Sequence, residues 1–326
     1  MSSVPADENM FLTAPIGRLF LANALPMAFV MAMSGLLNLV DAVFLGHFVG
    51  PVALAAVSFS FPAVMLLIAI ASLAGGGMSS LFARHLGAGD RTSAAAIFAS
   101  GHGLCLSLGA GIIAVYFATT PHLLPWLAKG SGEVAKYVGD YLFILICGAP
   151  VQFLMSLHAD AARNEGRAGF MALLSVAVTL ANIVLNYILI VSLNMGVAGS
   201  AWGTVAAQLI GLLLLLELRR RDSRMLPLSV LKAHDWRGNW RAILGLGLPL
   251  SLSFAGMALV SGAVIAALNW NDAPDYADTV AAYGIVTRIF GFAFMPLMAL
   301  ALATQTIVGI NSGARSEEHT SELQSH

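Results

Sequence analysis

The sequence predicts an all-α, polytopic integral membrane protein with about eight transmembrane helices, and three observations carry that reading. First, 58% of the 326 residues are hydrophobic and only 10% charged, with a mean hydropathy of +0.83. A soluble domain averages about 25% charged residues, so 16 basic and 17 acidic side chains cannot coat a soluble surface of this size. Second, eight apolar stretches reach the roughly 20 residues a helix needs to cross a bilayer. They cover 16–46, 52–82, 93–119, 136–158, 169–193, 197–218, 242–268 and 279–311. Third, the breaks fall at Gly, Pro and charge clusters: HFVGP, HLGAGDRTS, TTPHLLPWLAKGSGE, ARNEGRAG, SLNMGVAG, RRRDSRMLPLSVLKAHDWRGNWR and NWNDAPDYADT.

The first segment follows MSSVPADENMF, which lacks a basic n-region and a small-residue cleavage site, so it is expected to stay in the membrane. It holds Pro26, and Pro62, Pro150, Pro249 and Pro296 mark further bends in segments two, four, seven and eight. GGGMSS (75–80) lies inside segment two and therefore reads as a flexible or closely packed helix instead of a phosphate loop. Cys105 and Cys147 have no metal or redox spacing and read as small core residues.

Orientation follows the basic residues. With the N-terminus in the cytoplasm, Arg18, Arg84, Arg91, Arg163, Arg167, Arg219, Arg220, Arg221, Arg224, Lys232, Arg237 and Arg241 all fall inside. Only Lys129 and Lys136 face out, and the last outer loop carries Asp272, Asp275 and Asp278 with no base.

The chain also repeats. Ala55, Ala56, Gly87 and Ala88 recur as Ala281, Ala282, Gly313 and Ala314, each 226 residues on, so segments one and two look duplicated as seven and eight. The predicted organisation is a six-helix lobe (1–218), a basic inter-lobe loop (219–241) and two helices of a second, parallel lobe (242–314). The polar tail RSEEHTSELQSH (315–326) reads as translated sequencing-adapter DNA, and the chain is expected to be a fragment.

Asp41, in NLVDAVFLGH, is the one acid well inside a span; Asp140, Asp160 and Glu217 lie near segment ends where headgroups and water reach. A mid-bilayer charge costs about 3 kcal/mol on insertion scales, so such a group faces a cavity and titrates, or is held neutral between helices. Asn182 and Asn186 stand four apart on one helix face. They either hydrogen-bond Asp41 and line a wet cavity or act as helix–helix glue. Thr204, amid Gly196, Gly199, Ser200, Ala201 and Gly203, reads first as small-residue packing. Arg288 reads as a structural base, and Met27, Met31, Met33, Phe29 and Phe44 face either a soft cavity or lipid. No GxSxG, HExxH, Walker A or GxGxxG motif occurs, and His85, His102, His122 and His158 form no ligand set. The chain is therefore not read as an enzyme or metal protein.

NLVDAVFLGHFVGPVALAAVSFSFP, SSLFARHLGAGD, RNEGRAG, ANIVLNYILI and GVAGSAWGTVAAQ together resemble the multidrug and toxic compound extrusion (MATE) family, and AAYGIVTRIFGFAFMPLMALALATQTIVGINSGA resembles its second-half signature. The resemblance implies twelve helices in two lobes around a cleft, exporting cationic or amphipathic compounds against inward proton or sodium flow. On that pattern Asp41 holds the first-helix acid tied to ion coupling, Asn182 and Thr204 belong to the polar cluster beside it, and Pro26 marks the helix bend. Asn186 departs from members that carry a second acid there. Met257 stands near where some sodium-driven members carry an acid, which leaves protons ahead of sodium. The resemblance further implies a monomer in the bacterial cytoplasmic membrane acting on small organic molecules, with no cofactor and no nucleic acid. The rival readings are a lipid-linked oligosaccharide flippase of the same superfamily and a non-functional fragment.

Overall fold

The computed structural model describes residues 15–127, 132–270 and 276–324. Lys129, Asp272 and Asp275, with the side chains of His122 and Arg288, lie outside the described residues. Eight long helices follow one another: α1 Ile16–Phe44, α2 Pro51–Gly87, α3 Arg91–Leu127, α4 Gly132–Asn164, α5 Ala168–Asn186, α6 Gly196–Arg221, α7 Trp240–Trp270 and α8 Tyr276–Gln324. A single helical turn, Val230–Ala233, interrupts the loop between α6 and α7. All eight helices are long and apolar enough to cross a membrane. Each expected segment is present; α2, α3, α4, α6, α7 and α8 overrun the expected ends, whereas α1 and α5 stop short of them and pass into π-turns. α8 continues past Arg315 to Gln324 without a break at the expected tail boundary.

The five prolines expected to bend helices, at 26, 62, 150, 249 and 296, all sit within helices without ending them. Each removes one backbone hydrogen bond. Apolar side chains cover the outside as well as the inside, Leu21, Val43, Leu173 and Leu259 among them. That all-round pattern is what lipid contact requires.

α2 is the hub, packing against α3, α4, α7 and α8. Its contact with α8 is reciprocal. A side chain on Gly87 would collide with the Ile310 carbonyl, and one on Gly313 with the Arg84 carbonyl. Arg84 and Ile310, like Gly87 and Gly313, are 226 residues apart, the offset of the sequence repeat. Ser58 and Gly284, also 226 apart, meet each other near the other end of the same two helices. α2 and α8 therefore run parallel about a local two-fold. The pairing of α2 with α7 is mirrored by that of α8 with α1, the arrangement a parallel repeat produces. Leu19, Ala83 and Ile310 form a small buried cluster at this seam.

Cys105 is buried as expected, whereas Cys147 is exposed on the outer face of α4. An apolar-facing thiol suits lipid as well as core, so the apolar run around it did not discriminate.

Candidate functional site

Asp41 occupies the last turn of α1, and Asn186 closes α5. Both helices then loosen into π-turns, Leu45–Val49 and Tyr187–Ser192. Such turns break regular helical pairing and often mark functional positions. The two turns lie beside each other.

Here the four residues singled out in the sequence meet. Asn186 Nδ2 donates to Asp41 Oδ1 and, at 2.9 Å, to Asn182 Oδ1. Asn182 Nδ2 donates in turn to Thr204 Oγ1 at 3.3 Å. One continuous chain thus links α1, α5 and α6. Both asparagines are fully buried, while Asp41 and Thr204 are half-buried. Asn186 Oδ1 has no hydrogen-bond partner among the described residues. It sits where a side chain on Gly203 would be, so the absent Cβ on α6 is what lets the amide in. Thr204 is an acceptor in this chain and not merely a packing residue.

Pro26 lies further down α1, and from Met27 onward the helix lines a cavity of about 450 Å³. Its walls come from α1, α2, α4, α5, α7 and α8. Met27, Met31, Met65, Met257, Met295 and Met298 give it a soft, polarizable lining. Met33, Phe29 and Phe44 are not among the lining residues. Asn38, three residues before Asp41, is among its lining residues.

The opposite end of the cavity holds a second polar cluster, which sequence reading missed. Asp160 is an expectation to correct. It does not lie in headgroup water; its side chain is 16% exposed and pairs with Arg163 at 2.9 Å. The reason is that α4 runs on to Asn164, carrying this turn inside the bundle. Arg163, expected in the cytoplasmic charge belt, is 4% exposed. Its Nη2 donates to Ser79 Oγ at 3.2 Å and its Nε to Thr306 Oγ1 at 3.3 Å. Asn164 donates to Ser79 O at 3.0 Å and accepts from Thr306 Oγ1 at 2.8 Å. Just beyond, Glu165 and Arg219 form a bidentate buried pair at 2.9 and 3.0 Å, and Glu165 Oε1 also accepts the Leu226 N–H at 2.7 Å. That pair ties the inter-helix loop to α6. Burial pushes the Glu165 carboxyl above its ordinary range, against the pull of the Arg219 guanidinium.

His102 and His158 also meet, with Nε2 atoms 3.0 Å apart. His102 Nδ1 donates to Phe98 O at 2.8 Å, so its Nε2 accepts and His158 Nε2 donates. Two imidazoles are all this cluster offers, and among the described residues no three His, Cys, Asp or Glu could hold a metal.

The family model described as MatE matches residues 26–188 and 247–323. The chain belongs to the MatE family. Among curated relatives of this MatE chain, an FAD transporter of Shewanella oneidensis is 27% identical over 314 residues, covering 94% of this chain and 68% of that protein. The multidrug export protein MepA of Staphylococcus haemolyticus is 27% identical, covering 94% and 67%. Among solved structures, a multidrug resistance MATE transporter in an outward-facing conformation matches with TM-score 0.81 and 28% identity, covering 96% of this chain and 69% of that one. A ligand complex of the MATE multidrug transporter DinF-BH matches with TM-score 0.84 and 28% identity, covering 93% and 67%. The MatE chain is thus a multi-pass membrane protein of a multidrug efflux transporter family.

Proposed function

We propose that the protein works as a secondary antiporter in the bacterial cytoplasmic membrane. It exports cationic or amphipathic organic compounds in exchange for protons, with sodium as the alternative ion. The observation that supports this best is the hydrogen-bonded chain Asp41–Asn186–Asn182–Thr204 beside a methionine-lined cavity.

An amide is the partner a titrating carboxyl needs. When Asp41 is ionised it accepts from Asn186 Nδ2. Once protonated, it becomes a donor, and a half-turn of the Asn186 amide presents Oδ1, which carries no other bond among the described residues. Asn186 thus offers the carboxyl an acceptor or a donor as its protonation changes, the half-turn giving up the bond to Asn182 Oδ1. Protonation from outside removes the charge, lets α1 bend near Pro26 and narrows the cavity along Met27 and Met31, so the cargo leaves. At 450 Å³ the cavity is within the usual range for small-molecule sites, about 300–1,000 Å³.

A flippase for lipid-linked sugars calls for a cleft rich in free basic groups. Among the described residues Arg163 is the one base lining the cavity, and it already pairs with Asp160. Efflux of ethidium from cells expressing the chain, beside its Asp41→Asn and Asp41→Ala variants, tests the proposal. Loss of export in both is expected, and unchanged export in both defeats the coupling role.

A further inference from the structure

We propose that Asp160 anchors the cationic head of the cargo, through the carboxylate oxygen that Arg163 leaves open. This deepens the export reading and rests on the cavity being the cargo site.

Asp160 is the one carboxylate and Arg163 the one basic side chain among the described residues lining the cavity. They are not equal partners for a ligand. Each guanidinium nitrogen of Arg163 already meets a protein group: Nη1 meets Asp160 Oδ1, Nη2 meets Ser79 and Nε meets Thr306. Nη1 also lies 3.9 Å from Met27 Sδ. Asp160 spends Oδ1 on Arg163, and its Oδ2 has no ion pair or hydrogen bond among the described residues. A Cβ at Gly75 would stand 3.0 Å from that oxygen and press on it, so the glycine on α2 is what keeps a side chain off Oδ2.

An ionised carboxylate offers about four lone-pair sites, so it can take a second cation while holding the first. An anion entering the cavity meets a committed guanidinium and a carboxylate that repels it. Arg163 serves as the positioning residue: its bonds to α2 and α8 fix the carboxylate at the cavity's floor. The low-dielectric methionine walls strengthen the attraction over what water would allow.

Tetraphenylphosphonium and tetraphenylborate have nearly the same shape and opposite charge. Equilibrium dialysis of the purified chain in detergent, corrected with protein-free micelles, gives both affinities. No gradient is present, so a failure of coupling at Asp41 leaves the measurement readable. The unaltered chain is expected to prefer tetraphenylphosphonium by roughly tenfold or more, as one desolvated charge contact allows. Asp160→Asn should erase that preference while tetraphenylborate binding is kept or improved, and Asp160→Glu should retain it. Equal affinity of the unaltered chain for both ions overturns the anchor, whatever the variants do, and so does a preference that survives Asp160→Asn. Binding of neither ion overturns the cargo site itself and the anchor with it.

Discussion

Two buried polar clusters occupy opposite ends of one helical bundle, and their chemistry differs. At the α1–α5–α6 end a carboxylate meets an amide, Asp41 with Asn186. At the α2–α4–α8 end and the loop beyond it, each acid meets a guanidinium at 2.9 Å, Asp160 with Arg163 and Glu165 with Arg219. An amide can donate to a carboxylate or accept from a carboxylic acid; a guanidinium can only donate. The first cluster can thus meet an acid in either protonation state, and the second ties helices together through guanidiniums that only donate. Ser79, Asn164 and Thr306 show the second role, since they join α2, α4 and α8 through one network.

The largest stability effect should come from the α2–α4–α8 end. Arg219→Met leaves Glu165 buried without its cation and is expected to cost about 3–5 kcal/mol in thermal unfolding in detergent. The double variant Glu165→Gln/Arg219→Met should recover much of that. Asn164→Ala, which strips the amide between Ser79 and Thr306, should cost about 1–3 kcal/mol by the same measurement. If either change were nearly silent, the tying role of this end would be wrong.

A smaller effect depends on pH. Burial raises the Glu165 carboxyl above the ordinary 4.5, more than Arg219 and the Leu226 N–H lower it. The stability it contributes is therefore complete below about pH 4.5 and is lost as pH rises through the raised value. Melting temperature followed upward from pH 4 should fall more steeply for the unaltered chain than for Glu165→Gln. Parallel curves would contradict this. The smallest stability effect is expected at the α1–α5–α6 end. Asp41→Asn keeps an amide-compatible group at the site and should shift unfolding by under about 1 kcal/mol, although export is lost. A severe loss of stability instead would make Asp41 a structural carboxylate.

What the sequence revealed divides along the same line. The Asp41 cluster was legible because its signals are local: one acid inside an apolar run, and two asparagines one helical turn apart. The Arg163 cluster was not. Asp160 and Arg163 stand at the end of α4, which runs to Asn164, beyond the 158 expected from hydropathy, because RNEG resembles a loop by composition. Glu165 and Arg219 are 54 residues apart, and His102 and His158 are 56 apart. No periodicity predicts such pairings; packing of α3, α4 and α6 creates them. Helix number and the α2–α8 relation, by contrast, followed from apolar run length and the 226-residue repeat.

Infrared difference spectroscopy of the reconstituted chain across pH tests the central claim most directly. The account predicts a protonated-carboxyl band that grows as pH falls and is missing from Asp41→Asn. A spectrum in which no such band depends on Asp41 at any pH would contradict it.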